Sequence, residues 1–399
     1  MKIKIMTVVG ARPNFMKAAP LIAAINEHNR RVAPKGPGPV RHTLVHTGQH
    51  YDKEMSGLFF RDLGLPRPDV SLGAGGGTHA RQTAEIMSRF EPVLMREHPD
   101  FVLLVGDVNS TVSCALVASK ASYNGACRPV IAHIEAGLRS FDRAMPEEVN
   151  RVLTDHLSDL LFVTEESGIR NLRREGIEAD KIHFVGNTMI DTLLKFKRRA
   201  DSSRSLSDLR LRGQGGRPRE YALLTLHRPA NVDDRKKLKE IVEALSPLSS
   251  TMPVIFPAHP RTRTRIEEFG LIDAFSFASP AERGAARGKI NLIAPQGYID
   301  FLSLMKNARI VLTDSGGIQE ETTCLGVPCV TIRENTERPV TVRKGTNILA
   351  GVEKEGIAKA IATQLKRSVV RKAPDKWDGR SAKRILRILI DHGRSRFRF

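Results

Sequence analysis

Aromatic residues are scarce: 16 Phe, 4 Tyr and 1 Trp make up 5% of 399 residues. So thin a supply leaves no base-stacking platform of the kind single-strand nucleic-acid binders use. Cysteine is scarcer, with only Cys114, Cys127, Cys324 and Cys329, none in a C-x-x-C pair or beside a histidine cluster. That pattern argues against a zinc site, and the thiols read as reduced, mostly core residues. No apolar run reaches membrane-spanning length; the longest, such as Phe101 to Val105, are the size of buried strands. The opening Met1-Lys2-Ile3-Lys4-Ile5 runs straight into a strand without the layout of a signal peptide, so the expected compartment is the cytoplasm. Negative charge is also short, 44 acidic against 63 basic side chains, for a formal net charge of +19. The basic residues are dispersed, thickening at 195–219 and near the C-terminus. With aromatics so few, the excess reads as a basic background around a small anionic substrate, with no nucleic-acid partner.

What is present is alternation. Ile3–Val9 is an apolar strand, and Phe15–Asn29 carries Phe15, Ala18, Ala19, Leu21, Ile22 and Ile25 at helical spacing. Strands follow at Arg41–His46, Phe101–Val105 and Val130–His133, with helices at His79–Glu97 and Val108–Ser122. Such alternation implies parallel strands with crossover helices on both faces. The stretch 195–219 turns polar, basic and glycine-containing and reads as a linker. The alternation resumes with strands at Tyr221–Leu226, Val254–Phe256, Ile290–Ile293, Ile310–Thr313 and Val327–Ile332. The expected organisation is a first α/β domain over 1–194, a linker over 195–219 and a second α/β domain over 220–375. A terminal helix in 376–399 packs back on the body, with Ile385, Ile388 and Leu389 on one face.

The strand Ile310–Thr313 leads into Asp314-Ser315-Gly316-Gly317, and a helix begins at Ile318. Glycines between a strand and a helix start let backbone N–H groups approach an anion, and the helix dipole assists. The same residues also suit a plain turn with Ser315 as N-cap. Glu321, one turn into the helix, can accept the two hydroxyls of a ribose, and Arg338 comes from the loop after the next strand. The first strand is followed by Gly10-Ala11-Arg12-Pro13-Asn14, with Lys17 one helical turn on. Asn14 can cap that helix. The spacing is not that of a Walker loop, and no G-x-G-x-x-G follows the strand, so no dinucleotide cofactor is indicated.

Carboxylates cluster at the other strand ends. Asp107 follows Phe101–Val105, Glu135 follows His133-Ile134, and Glu147 opens a helix with Arg151 one turn later. Acid–base chemistry at carbon requires such groups, with their pKa values separated by environment. Asp107 and Glu147 also suit helix N-termini, and Glu135 suits an ion pair with Arg139. His227 ends the first strand of the second half, and His259 is placed similarly; no metal-ligand spacing is found among the histidines.

In order, these segments are Gly10-Ala11-Arg12-Pro13 with Lys17; Gly106-Asp107; His133-Ile134-Glu135-Ala136-Gly137-Leu138-Arg139; Pro146-Glu147-Glu148 to Arg151; His227-Arg228; Asp314-Ser315-Gly316-Gly317-Ile318-Gln319-Glu320-Glu321; and Thr336-Glu337-Arg338-Pro339. The ordered set spans nearly the whole chain and resembles the non-hydrolysing UDP-N-acetylglucosamine 2-epimerases. The resemblance implies two Rossmann-like, doubly wound domains in the arrangement of the B-type glycosyltransferases, an active site in the interdomain cleft, and a homodimer. It implies reversible conversion of UDP-GlcNAc to UDP-ManNAc by elimination of UDP to a 2-acetamidoglucal and re-addition. No cofactor is needed, and the product supplies cell-envelope polysaccharide. By the same resemblance Asp107, Glu135 and Glu147 form the acid–base set, Arg151 orients or neutralises one of them, and His227 contacts the diphosphate. Arg12, Lys17, Ser315, Gly316, Gly317, Glu321 and Arg338 become contacts to the nucleotide sugar, and Gln296 and Phe301 hold the uridine. Two stretches depart from many bacterial members, His227-Arg228-Pro229-Ala230-Asn231 and Gly48-Gln49-His50-Tyr51, regions that form a second, activating substrate site in some of them. The altered pocket also leaves room for a modified UDP-sugar, such as a 3-acetamido uronic acid derivative. A glycosyltransferase of the same architecture is the other enzyme this pattern admits.

Overall fold

The computed structural model describes residues 3–32, 38–49, 62–123, 127–277, 285–367 and 373–396, the side chains of Arg12 and Gln214 excepted. Two compact units are present: Met1–Thr192 with Asp375–Phe399, and Leu193–Pro374.

The first unit is a seven-stranded sheet of β1 (Lys4–Val9), β2 (Arg41–His46), β3 (Val70–Ser71), β4 (Phe101–Val105), β5 (Val130–Ala136), β6 (Leu160–Val163) and β7 (Ile182–Phe184). Its order is β3-β2-β1-β4-β5-β6-β7, and every pairing is parallel. The intervening helices are α1 (Arg12–Arg31), α2 (His79–Glu97), α3 (Asn109–Lys120), α4 (Pro146–Leu157), α5 (Glu166–Arg174) and α6 (Thr188–Phe196). The central strand β4 is buried at all five positions, as a parallel strand covered on both faces must be. Strand order reverses between β1 and β4, and ligands in open α/β sheets bind beyond the carboxyl ends of the strands at such a reversal.

The second unit repeats the design. Its strands are β8 (Ala222–Thr225), β9 (Val254–Pro257), β10 (Phe275–Ser276), β11 (Ile290–Ile293), β12 (Ile310–Thr313), β13 (Cys329–Thr331) and β14 (Asn347–Leu349). They are ordered β10-β11-β9-β8-β12-β13-β14, again all parallel, with the reversal between β8 and β12. Its helices are α7 (Ser205–Asp208), α8 (Pro229–Val232), α9 (Arg235–Thr251), α10 (Pro260–Glu268), α11 (Tyr298–Asn307), α12 (Gly316–Leu325), α13 (Pro339–Arg343) and α14 (Lys354–Lys366). Helix α12 stops because Gly326 takes a left-handed φ of 72°, the conformation glycine adopts without a Cβ penalty.

Residues 195–219, read above as a linker, lie in the second unit. They hold two short 3-10 turns besides α7. Leu206, Leu209 and Leu211 are buried, and Ser203 Oγ donates to Asp300 Oδ1 at 2.6 Å. An apolar spacing hidden inside a polar stretch therefore fastens it to α11.

The C-terminal helix, Ser381–Arg396, packs on the first unit. Ile385, Leu386, Leu389 and Ile390 join the cluster that contains Phe101, Leu103 and Val105, each such burial worth about 1.5–3 kcal/mol. Asp191 accepts from Ser381 N at 3.1 Å and Ala382 N at 2.7 Å, and so caps the helix from nearly 200 residues away. Trp377 Nε1 donates to Thr164 O at 3.0 Å. Burial raises the Asp191 carboxyl above its usual range despite these hydrogen bonds. Asp191→Ala leaves two helix donors unanswered in a buried place. It should destabilise the first unit by about 1–2 kcal/mol, a fall in Tm of roughly 2–8 °C by calorimetry.

Candidate active site

At the reversal in the first sheet, the loops after β1, β4 and β5 are tied together. Helix α1 begins at Arg12, three residues earlier than the apolar spacing suggests, with Ala11 as N-cap. Asn14 does not cap it from outside. From inside the first turn its Oδ1 accepts from Gly10 N (3.0 Å) and Ala11 N (2.9 Å), and its Nδ2 donates to Val105 O at 2.8 Å. One amide thus pins the β1 loop to the end of β4. The backbone of Arg12 is described but its side chain is not.

Strand β5 runs three residues past the expected end at His133 because it contains a bulge. Its register with β6 passes from Ile134↔Phe162 to Ala136↔Val163, and Glu135 is the extra residue, at φ 76°. A left-handed conformation costs a residue with a Cβ about 1–2 kcal/mol, so the surroundings must enforce it. Lys17 forms a buried ion pair with the Glu135 carboxylate. Lys17 is 5% exposed, not a solvated helix lysine, and the partner of Glu135 is Lys17, not Arg139. Arg139 instead bridges Asp155 (2.7 Å) and Glu175 (2.6 Å). Gly106, at φ 70°, closes the space: a Cβ there would sit 3.3 Å from both Asn14 Nδ2 and Lys17 Nζ.

The second carboxylate, Asp107, is ion-paired with Arg151 Nη2 from α4. Val108, not Asp107, is the N-cap of α3. Arg151 Nη1 also holds Glu148 at 2.8 Å. Glu148 is saturated by Ser140 N, Ser140 Oγ and Phe141 N at 2.8–2.9 Å, so its role is to shape the loop before α4. Glu147 lies exposed in the first turn of α4. Asn150 Nδ2 donates to Asp107 O at 3.0 Å, which ties α4 to the β4 loop.

In the second sheet the reversal brings together the ends of β8 and β12. The Asp314 carboxylate is fully buried and points back into the sheet. It accepts from His227 N and Arg228 N and faces His227 Nδ1 at 2.8 Å. Burial favours the acid, but the His227 ring and these N–H groups outweigh it and hold Asp314 below the usual carboxylate range. Asp314 therefore positions the His227 side chain, 59% exposed, and is not itself an anion contact. Ser315 is the N-cap of α12, yet its side chain does not cap the helix, which leaves the amino end at Gly316-Gly317 open to a ligand. A Cβ on Gly316 would overlap Arg338 Nη1, so a side chain there would have to displace that guanidinium.

Arg338 is 5% exposed, with Nε 2.9 Å from Glu320 Oε1 and Nη1 paired with Glu337. Glu321 is 2% exposed and accepts from the Tyr298 hydroxyl at 3.0 Å. Burial, with the charge of Glu320, pushes its carboxyl up to about 8 against that hydrogen bond. Phe301 is half-buried on α11 and Gln296 lies just before it, its Nε2 donating to Ala294 O. His259 caps α10, its Nδ1 accepting from Arg261 N. Of the two departing stretches, Pro229 opens α8, whereas His50 and Tyr51 lie outside the described residues. Among the described residues no group of three or more His, Cys, Asp or Glu side chains could hold a metal. No described helix is long and apolar enough to cross a membrane.

The partners that steer these groups were not singled out from the sequence: Asn14 as a loop tie, Glu148, the Tyr298 hydroxyl and the inward turn of Asp314. Glu148 had a signal in the Glu147-Glu148 pair; the others depend on contacts far apart in the chain.

Two Rossmann-like units of seven parallel strands, each with polar side chains gathered where its strand order reverses, define a GT-B-like enzyme. Residues 35–390 match the family model described as UDP-N-acetylglucosamine 2-epimerase. The UDP-N-acetylglucosamine 2-epimerase of Methanocaldococcus jannaschii is 42% identical over 97% of this chain and 98% of its own. The UDP-2,3-diacetamido-2,3-dideoxy-D-glucuronate 2-epimerase of Pseudomonas aeruginosa is 41% identical over 92% of this chain and 93% of its own. A crystal structure of the Methanocaldococcus enzyme in complex with UDP-GlcNAc and UDP superposes with a TM-score of 0.83 over 98% of this chain and 99% of that one. The chain belongs to the UDP-N-acetylglucosamine 2-epimerase family and is an isomerase.

Removing Arg338 leaves Glu320 and Glu337 buried without this cation. Arg338→Ala should therefore cost about 3–5 kcal/mol, with Tm falling by roughly 6–20 °C. An unchanged Tm would mean that the two carboxylates do not depend on it.

Proposed function

We propose that the chain interconverts UDP-GlcNAc and UDP-ManNAc by eliminating and re-adding UDP. The observation that carries this reading is the pair of differently held carboxylates at the reversal of the first sheet: Glu135 buried against Lys17, Asp107 partly exposed on Arg151. A base takes the C2 proton, its electron pair forms the C1=C2 double bond, and the C1–O bond breaks to release UDP. Return of a proton to the opposite face of C2 and of UDP to C1 gives the epimer. The C2 proton is weakly acidic, so base and acid must be fixed before substrate arrives. Glu135, Asp107 and Glu147 supply the acid–base set, and Arg151 orients Asp107. Family membership and the relatives named UDP-N-acetylglucosamine 2-epimerase support this assignment.

UDP is the leaving group, and leaving requires positive charge and donors. The open N-terminus of α12 at Ser315, Gly316 and Gly317, with His227 beside it, supplies them. Arg12 and Lys17 belong to the nucleotide-sugar contacts of this reading, and Lys17 also steers Glu135. Glu321 takes the ribose hydroxyls, Gln296 and Phe301 hold the uracil, and Arg338 rigidifies the cradle through Gly316. The reading includes a homodimer in the cytoplasm that feeds cell-envelope polysaccharide, and no cofactor. The Pseudomonas relative makes a diacetamido glucuronate the second substrate to test.

Incubation with UDP-GlcNAc in heavy water should give UDP-ManNAc deuterated at C2, read by NMR. If only unlabelled UDP-GlcNAc returns while the diacetamido glucuronate exchanges, the second substrate replaces the first. Asp107→Asn and Glu135→Gln should each lower kcat about 10²–10⁴-fold and leave UDP affinity within about threefold; a parallel loss of UDP affinity would make them binding groups.

Ribose hydroxyls donate to a carboxylate, so UDP binding favours ionised Glu321, whereas the free protein holds it mostly protonated below about 8. UDP affinity should thus rise by up to about tenfold from pH 7 to pH 9, with proton release on binding at pH 7. Glu321→Gln should flatten the pH dependence; a pH-independent wild type would remove Glu321 from the ribose site.

A further inference from the structure

One buried charged assembly in the first unit has no place in the reaction just described. His133 is fully buried in β5, two residues before Glu135. Its Nε2 lies 2.8 Å from the Gly106 carbonyl and its Nδ1 lies 2.7 Å from Asp155 Oδ1. Asp155, also fully buried, accepts through its other oxygen from Gly137 N at 3.0 Å and Arg139 Nη1 at 2.7 Å. A carbonyl can only accept, so Nε2 carries a proton. Nδ1 is paired with the Asp155 carboxylate. Burial raises the Asp155 carboxyl, but the His133 ring and Arg139 outweigh it and hold Asp155 below the usual range. A ring held at both nitrogens is a rigid strut.

The strut ends on the two glycines that bracket the acid–base pair. Gly106 immediately precedes Asp107 and has φ 70°; Gly137 closes the bulge that displays Glu135 and has φ 79°. The Gly106 peptide is held at both groups from β5, its N–H donating to Ile134 O at 3.1 Å while its carbonyl takes His133 Nε2. Gly137 is close-packed as well: a Cβ added there would sit 2.6 Å from Gly168 O. The charged groups facing His133 and Asp155 are Arg139 and, through it, Glu175.

We propose that His133 is a positioning residue for the proton-transfer step: through Gly106 and, by way of Asp155, Gly137, it sets the separation of Asp107 and Glu135. The inference rests on the epimerase reading, and its test separates the two. In wild-type protein labelled with ¹⁵N-histidine, Nε2 of His133 should carry a proton, as its contact with the Gly106 carbonyl requires. An unprotonated Nε2 overturns the strut whether or not the protein is an epimerase. His133→Asn, which keeps one donor, should lower kcat for C2 exchange at least thirtyfold while KM for UDP-GlcNAc and UDP affinity stay within threefold. The kcat–pH profile should also move, as the pair is no longer held at its native spacing. A kcat within threefold of wild type, or a loss of kcat with an unmoved pH profile, overturns the proposal. Should His133→Asn fail to fold, Asp155→Asn, which keeps an acceptor for Gly137 but not the charge, is read by the same three measurements with the same outcomes. Wild-type protein that fails to exchange C2 while His133 Nε2 is protonated would sink the epimerase reading and leave the strut intact.

Discussion

The first unit is organised around a buried ion pair. Glu135 is 6% exposed, and a carboxylate buried without a cation is costly. Lys17 supplies that cation, and the pairing imposes the rest. Lys17 must reach Glu135 past the β4 loop, where a Cβ at position 106 would crowd its Nζ at 3.3 Å. Glu135 must project from a strand at φ 76°, so β5 must bulge, and a bulge held in a left-handed conformation must be clamped on both sides. Asn14, Gly106, His133 and Asp155 are the clamps.

The second unit meets the opposite demand. On the reading proposed above, it presents donors to an anion without holding an unanswered charge when the anion is gone. The donors are backbone N–H groups at the start of α12, which cost nothing to leave solvated. The Arg338 cation is already matched by Glu320 and Glu337, and the His227 ring is held by Asp314. The groups there are preorganised, and binding need not order them.

Much of this was legible in the amino-acid order. Period and length identify a parallel sheet, because a strand such as Phe-Val-Leu-Leu-Val can only be buried on both faces. The positions of Asp107, Glu135, Ser315 and Glu321 follow, since strand ends and helix starts are local features. Pairing partners are not local. Whether Glu135 meets Arg139, four residues on, or Lys17, 118 residues back, depends on which strands are neighbours in the sheet. The same holds for Asp314, whose carboxylate turns toward β8 because β8 lies beside β12. The stretch 195–219 misled for another reason. Its many charges hide Leu206, Leu209 and Leu211, and three apolar side chains suffice to bind it to a surface.

Asp191 joins the last helix to a unit whose other elements all begin before residue 193. The second unit is therefore an insertion in the first. During synthesis the second unit has its whole sequence available while the first still lacks the helix that covers Phe101, Leu103 and Val105. The order of emergence and the order of completion are reversed: the unit begun first is the one finished last, and until then one face of its sheet is exposed to whatever else is in the cell.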